Sequence, residues 1–251
     1  VADVYTKFEQ AESNPCNASV SLPSINLDFH PNATGHGLIA DTISALLTDE
    51  GGSEDPEVSG SIFVGGVELT GSKESPAYAA TNDSGAVTTD NANENNYNIK
   101  WDGSTLTLNN AAITQGALEG AAIWYYRDSD LNIALVGTNT VTGPSGSGSG
   151  ASYGIFAWYP NERIDLTISG DGSLTVTGGG TVSESCGIYT DNLIVQSGTG
   201  TVNATGGDGA EDSYGIYAYD VTISGGDVTA TGGVLCLLRN AMFRSITGCS
   251  W

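Results

Sequence analysis

A repeat constrains this sequence more than any other feature. Gly154-Ile155-Phe156, Gly187-Ile188-Tyr189 and Gly215-Ile216-Tyr217 recur, with Ala122-Ile123-Trp124 as a degenerate first copy. The four isoleucines lie 32, 33 and 28 residues apart. A second alternating segment follows in each copy: Leu131-Asn132-Ile133, Leu166-Thr167-Ile168, Leu193-Ile194-Val195 and Val221-Thr222-Ile223. A third closes it: Thr140-Val141-Thr142-Gly143, Thr175-Val176-Thr177-Gly178, Asn203-Ala204-Thr205-Gly206 and Thr229-Ala230-Thr231-Gly232. Alternation puts one face of each segment inside and the other in solvent. No copy can bury its inner face alone. Stacked copies can, each strand pairing with its equivalent about 4.8 Å away.

Three short strands per copy, with turns of unequal length, predict an all-β fold, a right-handed parallel β-helix. Ile155, Ile188 and Ile216 should form one inward column. Leu166/Ile168, Leu193/Val195 and Val221/Ile223 should form the next. Val141, Val176, Ala204 and Ala230 should fill the third. Glycine, 35 of 251 residues, is used at roughly twice its average rate, as a turn-rich solenoid needs.

The flanks carry weaker patterns. Leu106-Thr107-Leu108 with Ile113 reads as an earlier partial rung. Tyr97, Ile99 and Trp101 alternate into Asp102-Gly103, a hairpin signal, and residues 62–70 read as a hairpin about Gly65-Gly66. Leu38, Ile39, Ile43, Leu46 and Leu47 predict a short amphipathic helix within 37–50. Residues 48–60 read as a linker and 143–152 as a long loop. The expected organisation is an N-terminal segment over 1–56, with the helix and a capping role. The β-helix follows over 57–234, then a non-repeat tail or cap over 235–251.

Charge narrows the function classes. With 29 acidic and 7 basic residues the net charge is −22, which repels nucleic acid and anionic membrane surfaces. No apolar run is long enough to insert as a membrane helix. Cys16, Cys186, Cys236 and Cys249 show no Cys-x-x-Cys spacing, and their three alternative disulfide pairings stay open.

Three outward columns are candidates for chemistry. If each repeat isoleucine points inward, Trp124, Phe156, Tyr189 and Tyr217 point outward, and Tyr126, Trp158 and Tyr219 form a partial second column two residues on. A flat aromatic strip suits stacking on sugar rings; the plain alternative is that the rings only stabilise adjacent rungs. Asp130, Asp165, Asn192 and Asp220 open the second strands. They read either as turn residues or as calcium ligands, with Asp128, Glu162 and Asp191 nearby. The third column, Thr140/Thr142, Thr175/Thr177, Asn203/Thr205 and Thr229/Thr231, is similar to the ice face of some antifreeze proteins, although Thr is also an ordinary strand residue.

Catalysis finds little support: His30 and His36 lie outside the repeats and no nucleophile elbow is present. Arg127 and Arg163 are the only candidate bases for a polysaccharide lyase. Their plain reading is surface pairing with Asp128 or Glu162.

Tyr97-Asn98-Ile99-Lys100-Trp101-Asp102-Gly103, Gly215-Ile216-Tyr217 and Val221-Thr222-Ile223-Ser224-Gly225-Gly226 resemble bacterial cell-surface carbohydrate-binding domain proteins with a pectate-lyase-like β-helix. The resemblance spans about residues 60–233. It implies a secreted or wall-attached binder of a polysaccharide or a host or cell-wall glycan, without lyase activity and with calcium as its candidate cofactor. The expectation is therefore a non-catalytic glycan-binding module. A structural or adhesive solenoid spacer is the alternative, with ice binding and lyase activity behind it.

Overall fold

In the computed structural model the described residues are 19–21, 24–26, 60–146, 150–180, 183–208, 212–232 and 246–247. The predicted helix within 37–50, most of the 48–60 linker and the capping role of 1–56 lie outside them. The chain divides into two units, Val1–Pro56 and Glu57–Trp251. In the first, β1 (Ser19–Ser21) pairs antiparallel with β2 (Ser24–Asn26).

The second unit is a β-solenoid. It opens with β3 (Gly60–Val64), β4 (Val67–Gly71), β5 (Ala77–Thr81), β6 (Val87–Thr88), β7 (Ile99–Trp101), β8 (Thr105–Asn109) and β9 (Ala112–Ile113). Four rungs of three strands follow. The first is β10 (Ala121–Tyr125), β11 (Leu131–Val136) and β12 (Thr138–Thr142); the second is β13 (Ser152–Ala157), β14 (Asp165–Ser169) and β15 (Ser173–Thr177). The third is β16 (Glu184–Thr190), β17 (Asn192–Val195) and β18 (Thr201–Thr205); the fourth is β19 (Asp212–Tyr217), β20 (Asp220–Ile223) and β21 (Asp227–Thr231). Finally β22 (Ile246–Thr247), inside the segment expected to be non-repeat, pairs parallel with β21.

Each strand pairs parallel with its equivalent one rung away, giving three sheets. The predicted columns are in register: Ile123, Ile155, Ile188 and Ile216 align, as do Leu131, Leu166, Leu193 and Val221. All eight are buried. Val141, Val176 and Ala204 are buried as expected, while Ala230 is half-buried in the last rung. The third sheet contributes a second inward column that the repeat pattern left out: Asn139, Leu174, Val202 and Val228. Its one polar member is fully served. Asn139 Oδ1 accepts from Ala111 N at 2.9 Å, and its amide donates to the Val136 and Ser173 carbonyls at 3.2 Å.

The repeat glycine has a steric cause. A Cβ on Gly154 would meet Val176 Cγ2 at 2.4 Å and the Gly187 carbonyl at 2.8 Å, and one on Gly187 would meet the Gly215 carbonyl at 2.6 Å. Only hydrogen fits where the first strand crosses the third and lies on the next rung. Beside it runs a serine ladder. Ser152 Oγ donates to the Pro144 carbonyl and accepts from Gly179 N, and Ser185 Oγ donates to the Gly179 carbonyl and accepts from Gly207 N, all within 2.7–2.8 Å. These bonds satisfy buried backbone groups that the sheets leave over.

The start of the solenoid is closed by antiparallel strands. β3 and β4 form the predicted hairpin about Gly65-Gly66, both with positive φ, and β3 lies antiparallel on β10. β7 and β8 form the second predicted hairpin, and β8 and β9 start the parallel stacks as the predicted partial rung. Trp101 plugs this end. It is fully buried, packs edge-on to Tyr125 at 6.1 Å and donates its indole N–H to the Gly60 carbonyl at 2.7 Å.

Candidate functional site

The first strand of every rung builds an outward aromatic face. Trp124, Phe156, Tyr189 and Tyr217 align in register, and Phe63 of β3 extends the column. All are half-buried, so the predicted column faces out. Phe156 and Tyr189 stack at 5.1 Å and 15°, and Tyr189 and Tyr217 at 4.8 Å and 3°. These separations match the rung spacing, so parallel pairing itself sets the stack.

The partial second column is also present, and its gap has an occupant. Tyr126 stacks on Trp124 at 5.4 Å and 5°, and meets Trp158 at 6.0 Å and Tyr159 at 5.2 Å. Tyr126 is 40% exposed and Tyr219 43%. Between Trp158 and Tyr219 the third rung places Asp191 in a one-residue corner between β16 and β17. That carboxylate is only 3% exposed, and its Oδ2 has no hydrogen-bond partner. Burial pushes its pKa up, while the Ile164 backbone N–H and Arg163 draw it back.

A row of side chains absent from the sequence-based site completes the face. Tyr153, Cys186 and Tyr214 align one behind another. Tyr153 lies 5.0 Å from Phe156 and 5.3 Å from Tyr189, and Tyr214 lies 5.6 Å from Tyr217. Two outward rings therefore fall three residues apart on one strand, because the strand breaks its alternation at the glycine. The signal was present as Ser152-Tyr153-Gly154, Ser185-Cys186-Gly187 and Ser213-Tyr214-Gly215, a longer repeat than the Gly-Ile-aromatic core. Tyr153 donates to Glu184 Oε1 at 3.2 Å, and the Cys186 thiol to the same oxygen at 3.7 Å. Cys186 is buried and free of any disulfide. The other three cysteines lie outside the described residues. Burial first, then Glu184, holds the Tyr153 phenol and the Cys186 thiol well above their usual ranges. Burial and Tyr217 push Tyr189 up to about 12. Burial likewise raises Tyr125, Tyr214 and Tyr217.

Members of the acidic column bond one another along the stack. Asp130 Oδ1 accepts from Asp165 N at 2.8 Å, and the Asn192 amide donates to Asp165 Oδ1 at 2.7 Å. Asp220 meets Arg163 at 3.7 Å. Among the described residues no three His, Cys, Asp or Glu side chains converge as a metal site. Arg163 was expected to pair with Glu162; it reaches across two rungs to Asp220, and its guanidinium lies 5.1 Å over the Tyr219 ring. Arg127 lies against the backbone of Gly60. The Thr-x-Thr ladder is in register as predicted, Thr140–Thr175–Asn203–Thr229 and Thr142–Thr177–Thr205–Thr231, and each of these residues is half-buried or exposed.

No helix among the described residues is long and apolar enough to cross a membrane. Comparison with protein-family models, curated proteins and solved structures finds no match for this chain. The likeness to cell-surface carbohydrate-binding proteins therefore rests on the short motifs alone.

Proposed function

We propose that this chain is an extracellular, non-catalytic glycan-binding module of a bacterial surface protein. The observation that carries the reading is the outward aromatic face, with Tyr126 40% exposed beside Trp158 and Tyr219 43% exposed in the last rung. Half-exposed rings in fixed orientation give a ligand apolar area at little entropic cost, and their polar tips orient hydroxyls. An elongated face along the solenoid axis suits an extended chain of sugars.

The face-to-face stack of Tyr189 on Tyr217 at 4.8 Å favours a second reading, a structural or adhesive spacer in which the rings only bond rung to rung. A glycan array on the purified chain, run with calcium and with chelator, separates the two. Selective binding that is lost in Trp158→Ala, with an unchanged far-UV spectrum, is expected. A blank array from a cooperatively folded chain supports the spacer. The chelator arm tests calcium at Asp130, Asp165 and Asp220.

A further inference from the structure

The charge arrangement around the aromatic face selects among glycans. Glu184 and Asp212 stand in register at the start of adjacent rungs along one border of the tyrosines. Glu184 takes the Tyr153 hydroxyl at 3.2 Å and the Cys186 thiol at 3.7 Å, and Asp212 stands two residues before Tyr214 on the same strand. A carboxylate accepts only, and has about four lone-pair sites. Each of these therefore keeps spare acceptor capacity, at the edge of the aromatic platform.

On the opposite border, among the described residues, Arg127 lies against the backbone of Gly60 and Arg163 is already engaged. Arg163 is held by Asp220 at 3.7 Å, lies over the Tyr219 ring and faces the buried Asp191 carboxyl. Three groups on this side thus draw on one guanidinium. An incoming anion would have to displace them and approach a chain of net charge −22. A carboxylate ligand also brings acceptors to a border already made of acceptors, whereas a sugar hydroxyl brings donors.

Resting on the glycan-binding reading above, we infer that this face takes neutral, polyhydroxylated glycans and excludes uronates and other anionic polysaccharides. Sugar rings lie on Tyr126 and Trp158 and along the outward edges of the stacked Tyr189 and Tyr217, while hydroxyls donate to Glu184 and Asp212. The occupant is thus set by an acceptor-only border on one side of the strip and an arginine already engaged on the other.

The test is affinity electrophoresis of the whole chain through gels holding one polymer each: hydroxyethylcellulose, galactomannan, xyloglucan, polygalacturonate, alginate or chitosan. Retardation by at least one neutral polymer and by neither uronate is expected. It should survive about 1 M NaCl, where the screening length falls to about 3 Å. Glu184→Gln removes charge and keeps an acceptor for Tyr153, so it should weaken neutral binding only a few-fold. The Glu184→Gln/Asp212→Asn double variant should weaken neutral binding further and still pass unretarded through polygalacturonate, because Arg163 stays engaged and the chain stays strongly acidic. Retardation of the wild type by polygalacturonate or alginate overturns the charge selection and leaves the glycan reading standing. Retardation by chitosan alone, abolished by salt, also overturns it, marking simple attraction of a polycation. No retardation in any gel overturns both.

Discussion

On the first strand of each rung the outward residues are aromatic, and at the start of the second strand they are Asp or Asn. Both columns repeat with the same period and both stack in register. The acidic column turns its polar atoms along the stack, Asp130 to the Asp165 amide and Asn192 to the Asp165 carboxylate. Stacking engages Asp130 Oδ1, Asp165 Oδ1 and the Asn192 amide within the column, while Asn192 Oδ1 stays buried without a partner. The aromatic column also touches along the stack, but a ring has an edge and two faces. Contact between rungs uses part of that surface and leaves Tyr126 and Tyr219 40% and 43% exposed. Periodicity alone thus does not mark a site. What marks it is chemical capacity left over once the rungs have stacked.

The sharpest way to break this contrast is to strip each column separately. Tyr126→Ala combined with Trp158→Ala should reduce glycan affinity by about thirtyfold or more, the scale of a binding hot spot near 2 kcal/mol. The loss in folding stability should stay near 1 kcal/mol, because the rings removed are partly exposed. Binding by calorimetry and stability by urea titration measure both. A large stability loss with unchanged binding would turn the aromatic face into rung-to-rung cement and sink the contrast.

Asn192→Ala should show the opposite pattern. It removes the donor to Asp165 and leaves that carboxylate short of a partner, at a cost of about 1–3 kcal/mol in stability. Glycan affinity should not move. Adding calcium to the wild type should leave the melting temperature where it is. A rise with calcium concentration, following mass-action linkage, would reassign Asp130, Asp165 and Asp220 as ligands.

The repeat was legible because its cause is local and periodic. Ile155, Ile188 and Ile216 must point inward, and Gly154 and Gly187 must lack a Cβ, so the pattern survives in the letters. The hairpins at Gly65-Gly66 and Asp102-Gly103 were legible for the same reason, since their turns demand particular residues. The Tyr153–Cys186–Tyr214 row was missed because strict alternation assigns Tyr153 and Phe156 to opposite faces. A break at Gly154 brings both outward, and that break comes from a crossing with β15 far along the chain. Arg163 was misassigned for a related reason. Its partner Asp220 is two rungs away in space and 57 positions away in sequence, whereas a reading along the chain favours Glu162. Asp191 was read with Asp128 and Glu162 as a carboxylate near the acidic column; only the one-residue corner of the third rung buries it.

Alkali probes how firmly the aromatic face is built. Tyr189 is raised from the ordinary tyrosine value near 10 to about 12 by burial and its stack on Tyr217. The folded state thus holds the neutral phenol more tightly than the unfolded chain does. This contribution to stability is fully present below pH 10, because neither state has ionised. It is lost as pH rises from the unfolded value through the folded one. Urea midpoints should fall between pH 10 and about 12, and phenolate absorbance should show Tyr189 ionising about two units later than in the Tyr189→Phe control's remaining exposed phenols. Early ionisation of Tyr189 would show an open, loosely stacked column.

The smallest expected effect lies where the two columns meet. Asp191 occupies the aromatic column's gap and directly precedes the acidic column's Asn192. Its Oδ2 is buried without a partner, and burial raises its pKa despite Arg163. A raised carboxyl pKa means that ionisation weakens the folded state relative to the unfolded one. The penalty is absent below the usual carboxylate range near 4 and grows as pH rises through that range. Asp191→Asn keeps an acceptor for the Ile164 N–H and never ionises. The variant should therefore be slightly more stable than wild type at pH 7 and no more stable at pH 3. A variant weaker at pH 7 would show that the Asp191 carboxylate anchors Arg163 over Tyr219. The acid would then belong to the ionic support of the aromatic face rather than interrupting it.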